Sequence, residues 1–148
     1  ANATQVLANF QMQVSEMLAQ AYLRAGSAHR AVSTLDEALS RSELAGTHFY
    51  DASLHRLKGE AILMRDSSMI AQAEECFRKG IGMARSRSAK SWELSATTSL
   101  ARLLRDTGRR NEARAMLAEI YGWFTEGFDT ADLKDAKALL EELSGSLV

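Results

Sequence analysis

One short pattern of small and large residues recurs along this chain at a long, nearly fixed period. Ala19-Gln-Ala-Tyr22 leads on to Gly26, Ala31, Leu35 and Ala38. Gly59-Glu-Ala-Ile62 leads on to Ala73, Phe77 and Gly80, and Ala101-Arg-Leu-Leu104 to Gly108, Ala113, Leu117 and Ile120. The leading small residues, Ala19, Gly59 and Ala101, are 40 and 42 positions apart; Ala31, Ala73 and Ala113 are 42 and 40 apart. A period of this length marks stacked supersecondary units. In such a stack each unit buries its apolar face against its neighbours. The pattern predicts an all-α helical repeat scaffold, a kind of structure that usually binds other polypeptides.

The periodicity inside each copy is helical. Val6, Phe10, Val14, Met17, Leu18 and Ala21 recur at three- and four-residue steps, which predicts a helix from about Thr4 to Ala25 that stops at Gly26. Ser27 is expected to cap a second helix ending near Ala45-Gly46. Thr47 is expected to open a third, Ala71–Arg87 to form a fourth, Lys90–Asp106 a fifth and Arg110–Trp123 a sixth. Asp129 or Thr130 should cap a last helix running to Leu143. The chain has no proline, so the turns fall to Gly, Ser, Asn and Asp. Three antiparallel helix pairs result, over about residues 4–46, 47–88 and 89–128. The helix over 129–143, apolar at Leu133, Ala136, Leu139, Leu140 and Leu143, is expected to cover the last exposed face. All 148 residues form one domain on this account. Ala19 with Ala31, Gly59 with Ala73 and Ala101 with Ala113 are expected to let paired helices cross closely. Gly59 to Ala73 is two residues longer than the other pairs, so Asp66-Ser-Ser-Met69 should make a longer turn.

Bulk properties limit the functions available. The formal net charge of −1 gives no electrostatic case for direct nucleic-acid binding. From Arg78 to Arg114 ten Lys/Arg face three acids, and from Glu126 to Glu142 six acids face two lysines. This split fits ordinary solvated helix faces, or a basic groove that accepts an acidic partner. No apolar stretch is long enough for a membrane span, and no signal peptide is visible. A cytoplasmic location is therefore expected. The missing initiator Met suggests a piece of a larger protein. Cys76 falls on an apolar helical face, where a structural thiol is expected. Asn2-Ala-Thr4 matches a glycosylation sequon by chance.

The small–aromatic–Gly–Ala–aromatic–Ala pattern resembles the tetratricopeptide repeat (TPR), and its long period resembles the TPR variant of MalT-type bacterial signal-transduction ATPases. Leu54-His-Arg-Leu-Lys-Gly-Glu60, Ala89-Lys-Ser-Trp-Glu-Leu94, Thr98-Ser-Leu-Ala-Arg-Leu-Leu-Arg105 and the string from Tyr121 to Leu133 resemble the C-terminal region of bacterial proteins with a predicted ATPase module. Such proteins begin with an adenylate/guanylate cyclase or a winged-helix domain. The resemblance covers roughly residues 15–143. It implies a right-handed superhelical array and an interaction module without catalysis of its own. The alternative it implies is a TPR domain that senses a small-molecule effector for a transcriptional regulator.

By alignment with the family's groove positions, the first helix of each pair lines the concave face. That places Gln13, Glu16, Gln20 and Arg24 in the first unit, Ser53, Arg56, Glu60 and Met64 in the second, and Ser95, Thr98, Arg102 and Arg105 in the third. The implied partner is a protein or peptide, or another domain of the same chain. Arg56, Arg102 and Arg105 should favour an acidic one, and the acidic C-terminal segment of another copy would give weak self-association.

No catalytic, cofactor or metal site is expected. No phosphate-loop motif occurs, and no serine sits in a nucleophile elbow. His29 and His48 are expected to have no carboxylate or thiol partner at metal spacing. Arg56 and Glu60, four apart, share a helix face and make either a surface ion pair or a groove-lining pair. Trp92, Trp123, Phe124 and Phe128, at the ends of units, are expected to pack between units or to form a partly exposed hook.

Overall fold

The computed structural model describes residues 2–145, so both ends of the expected 1–148 domain lie outside them. These residues form seven α-helices and no strand: α1 (Ala3–Arg24), α2 (Ala28–Ala45), α3 (Asp51–Arg65), α4 (Ile70–Ser86), α5 (Lys90–Asp106), α6 (Arg110–Tyr121) and α7 (Ala131–Gly145). The fold is all-α. Among the described residues no helix is long and apolar enough to cross a membrane.

Each helix packs on the next, and α1, α3, α5 and α7 also pack on one another in that order. The backbones of α2, α4 and α6 stay apart. Contacts thus run between near neighbours along the chain, as in a linear stack. The odd helices make one continuous layer. α4 and the start of α6 are bridged by ions instead: Glu74 of α4 meets Arg109 at 2.8 Å, and Arg78 of α4 meets Glu112 of α6 at 2.9 Å. Burial pushes the Glu74 carboxyl up, but hydrogen bonds from Arg109 and then Arg78 outweigh it and hold its pKa below the ordinary value.

The recurring small residues are where helices meet. Ala19, Ala31, Ala73, Ala101 and Ala113 are at most 1% exposed. A Cβ built on Gly80 would lie 2.9 Å from the Ala52 carbonyl oxygen, so α4 meets the α3 backbone there. The apolar interior falls into two clusters that meet on α4. Cys76 joins Leu35, Leu54 and Leu57 on the N-terminal side, while Phe77 joins Leu100, Leu104 and Leu117 on the C-terminal side. Cys76 is buried, and burial pushes its thiol pKa up.

Several helix ends differ from expectation. Asn2, set aside as a chance sequon residue, caps α1 by accepting a 2.9 Å hydrogen bond from the Gln5 N–H. Ser27 precedes α2 but makes no side-chain cap. Gly26 and Gly108 close α1 and α5 with positive φ, the Ser27 and Arg109 N–H groups reaching back to Tyr22 and Leu104. The second unit lacks such a glycine. Its turn, 66–69, is one residue longer, and Asp66 Oδ1 accepts from the Ser68 N–H at 3.0 Å and from the Ser68 hydroxyl at 2.6 Å. Thr47 does not open α3, which begins at Asp51. Residues 46–50 form a loop instead.

Candidate functional site

The odd-helix layer carries a file of polar side chains from α1 to α7. On α1, Gln20 donates to Glu16 at 3.3 Å and Arg24 donates to Gln20 at 3.4 Å. Burial raises the Glu16 pKa; a hydrogen bond from Ser53 and the Arg56 charge oppose it. On α3, Arg56 pairs with Glu60 at 3.0 Å, both half-buried. The second oxygen of Glu60 accepts from the Ser99 hydroxyl of α5, also at 3.0 Å. One carboxylate thus ties α3 to α5 while holding a guanidinium.

Two cavities adjoin at Glu60, Ser99 and Arg102. One, about 340 Å³, is walled by Leu23, Leu63, Met64, Phe77 and Leu103, with Asp106 at its edge. The other, about 200 Å³, is polar, with Arg56, Ser95 and Thr98 on one side and Asp132 and Asp135 of α7 on the other. Arg102 reaches both. It is half-buried, and it makes no hydrogen bond or ion pair among the described residues.

The expected groove residues therefore divide. Glu16, Gln20, Arg24, Ser53, Arg56 and Glu60 join the file, and Met64, Ser95, Thr98 and Arg102 line the cavities. The Thr98 hydroxyl donates back to the Leu94 carbonyl at 2.8 Å. Gln13 is exposed and lines neither cavity. Arg105 is already engaged, with Asp106 at 3.0 Å and Glu142 of α7 at 2.9 Å. The acidic C-terminal segment expected to dock from another copy meets this arginine within the same chain. Asp132 and Asp135 also offset the positive charge expected of the third unit. Ser99, Asp132, Asp135 and Glu142 were absent from the expected groove. The acidic run held a signal for the last three, but only α7 folding back fixes where they fall.

His48 has a carboxylate partner that the sequence reading did not give it. Its Nδ1 lies 2.8 Å from Asp51 Oδ2, and the Ser42 hydroxyl donates to Asp51 Oδ1 at 2.6 Å. Ser, His and Asp meet here without the geometry of a nucleophilic triad. A base of that kind uses one ring nitrogen toward the carboxylate and the other toward the hydroxyl, whereas here Nδ1 faces both, 3.2 Å from Ser42 Oγ. Ser42 is 0% exposed. The network instead ties the end of α2 to the start of α3. Among the described residues no group of three or more His, Cys, Asp or Glu is placed to hold a metal ion.

The aromatic residues divide as well. Trp92 packs on Phe49 and Tyr50, with ring centroids 5.4 and 5.8 Å away, and joins the second unit to the third. Trp123 is 57% exposed, edge-on to Phe124, with the Lys90 ammonium 5.6 Å from its ring. Phe128 is 46% exposed, its ring centroid 5.9 Å from that of Tyr121.

No family model, curated protein or solved structure matches this chain.

Proposed function

We propose that this chain is a non-catalytic TPR-type module, a right-handed superhelical array of three helix pairs closed by α7. It binds a protein or peptide segment, or another domain of its parent chain, within a cytoplasmic bacterial signalling protein. The observation that carries this reading is Arg102, an unengaged guanidinium at the junction of an apolar and a polar cavity. Its planar fork suits a carboxylate, and the apolar cavity suits a hydrophobic side chain beside it. The neighbouring acids make a uniformly acidic ligand unfavourable, so the fitting segment carries an apolar residue next to a single carboxylate.

The test is selection from a random peptide display library on the immobilised full chain. Enriched peptides should share that apolar–acidic pair, bind more weakly as salt rises, and lose affinity with Arg102→Gln. No enrichment, or binding indifferent to Arg102→Gln, overturns the reading.

The two joined cavities also support the effector-sensing alternative, because the larger one falls in the size range of small-molecule sites. A small molecule that raises the melting temperature of the parent but not of Arg102→Gln would favour it.

A further inference from the structure

α1 turns an apolar face to solvent. Val6, Leu7, Phe10, Val14, Met17 and Leu18 are between 42% and 63% exposed. In the later units several of the matching positions are packing positions. Counted from the leading small residue, Val14 matches Leu54 and Ala96, Met17 matches Leu57 and Ser99, and Leu18 matches Lys58 and Leu100; all of these but Lys58, which pairs with Asp36, are at most 6% exposed. Phe10 matches Tyr50 and Trp92, which pack together. The α1 stripe is therefore of the kind this fold buries. Met12 and Ala19, on the opposite side, are already in the core.

The order of the stripe specifies what covers it. Leu7, Phe10, Val14 and Met17 follow alternating three- and four-residue steps, the seam of paired helices. The exposed apolar residues of α1 are also symmetric about Met12. Phe10 and Val14 lie two positions to either side, Leu7 and Met17 five, Val6 and Leu18 six, and Ala3 and Ala21 nine. Reversing the helix thus maps the apolar set onto itself. A twofold interface must be self-complementary in this way. Reversal also opposes the helix dipoles. Glu16 is the one charged residue from Ala3 to Gln20, so like charges do not crowd the seam.

We propose that this face is the interface of a homodimer in which α1 pairs antiparallel with α1 of a second copy, Phe10 opposite Val14 and Leu7 opposite Met17. Head-to-tail stacking is disfavoured by charge. The exposed side of α7 carries Lys134, Asp135, Lys137, Glu141 and Glu142, which would lose water against apolar side chains.

The test is sedimentation equilibrium of the full chain from micromolar to submillimolar concentration. A reversible monomer–dimer equilibrium is expected. Met17→Glu should weaken it by at least about tenfold, with helix content and monomer melting unchanged because Met17 faces solvent. Arg102→Gln should leave dimerisation unaltered, which separates this test from that of peptide binding. Orientation is read by mixing Leu7→Cys with Met17→Cys chains and oxidising them. The mixed disulfide should exceed either homodisulfide, and buried Cys76 stays out of the reaction. A monomer over the whole range would mean that the stripe receives a helix from elsewhere and would overturn the proposal. So would a dimer indifferent to Met17→Glu, or a predominance of homodisulfides.

Discussion

Gly59 of α3 lies edge-on against the Phe77 ring of α4, and a Cβ built on it would fall 2.5 Å from Phe77 Cε1. Phe77 is 1% exposed, so the ring could give way only by shifting within the core, toward the apolar cavity it walls. Gly59→Ala should therefore destabilise the chain despite the better helix propensity of alanine. Overpacking costs about 1–3 kcal/mol, against roughly 1 kcal/mol gained in propensity. The measurement is a thermal melt; a variant that melts at or above the parent temperature would show that the crossing has slack.

The repeat marks Gly59 as a small crossing position, because it stands where Ala19 and Ala101 stand, but it names Ala73 as the partner, whereas the nearest neighbour is Phe77. The bounds of α5, Lys90–Asp106, follow from helical periodicity and from Gly108. The turn at 46–50 was not legible. Thr47 looks like a helix cap in sequence, but Ser42 and His48 both bind Asp51, and Ser42 belongs to the preceding helix. Which of the arginines beside the cavities is engaged was hidden for the same reason. Arg102 and Arg105 are three apart on one helix and alike in sequence; which of them is engaged depends on where α7 lands.

His55 makes stability depend on pH. Burial lowers its pKa below the ordinary 6.5, the Asp51 charge opposes this, and Lys79 and Lys58 add to it. Its buried Nδ1 has no hydrogen-bond partner among the described residues. Asp36 and Glu43 share its cavity with Lys58. Because the folded value lies below the unfolded one, the unfolded chain takes up the proton first. The stability is fully present above pH 6.5 and is lost as pH falls through the folded value. Urea unfolding midpoints should therefore drop less steeply with acid in His55→Gln than in the parent. Parallel pH profiles would remove His55 from the account.

Removing α7 should be severe. Leu133, Leu139 and Leu143 are at most 4% exposed against the C-terminal core, and each buried leucine is worth about 1.5–3 kcal/mol. Arg110 also donates to the Leu143 carbonyl at 3.3 Å. A chain ending at Asp129 should melt much earlier or aggregate, as judged by calorimetry and size-exclusion chromatography. An unchanged melting temperature in a monomeric truncation would mean that α7 covers nothing the stack needs.

Arg102 and Arg105 of α5 should then separate by role. Asp106 first and then Glu142 hold the Arg105 guanidinium pKa above its ordinary value, although burial opposes them. Arg105→Glu breaks the tie to α7 and sets three acids together. A part-exposed pair is worth about 0.2–1 kcal/mol, and the added repulsion takes the expected loss toward about 1 kcal/mol, or roughly 2–4 °C for a chain of this size. Arg102 has no such pair among the described residues, so Arg102→Gln should stay within about 0.5 kcal/mol of the parent while losing peptide binding. A double variant, Arg105→Glu with Glu142→Arg, restores the opposite charges and should recover part of the lost stability, which isolates the pair from other effects of Arg105. If the double variant melts no higher than Arg105→Glu alone, α7 is held by its leucines and the ion pair contributes nothing measurable. If Arg102→Gln melts as low as Arg105→Glu, Arg102 is a structural cation after all and the cavity junction loses its claim as the binding site.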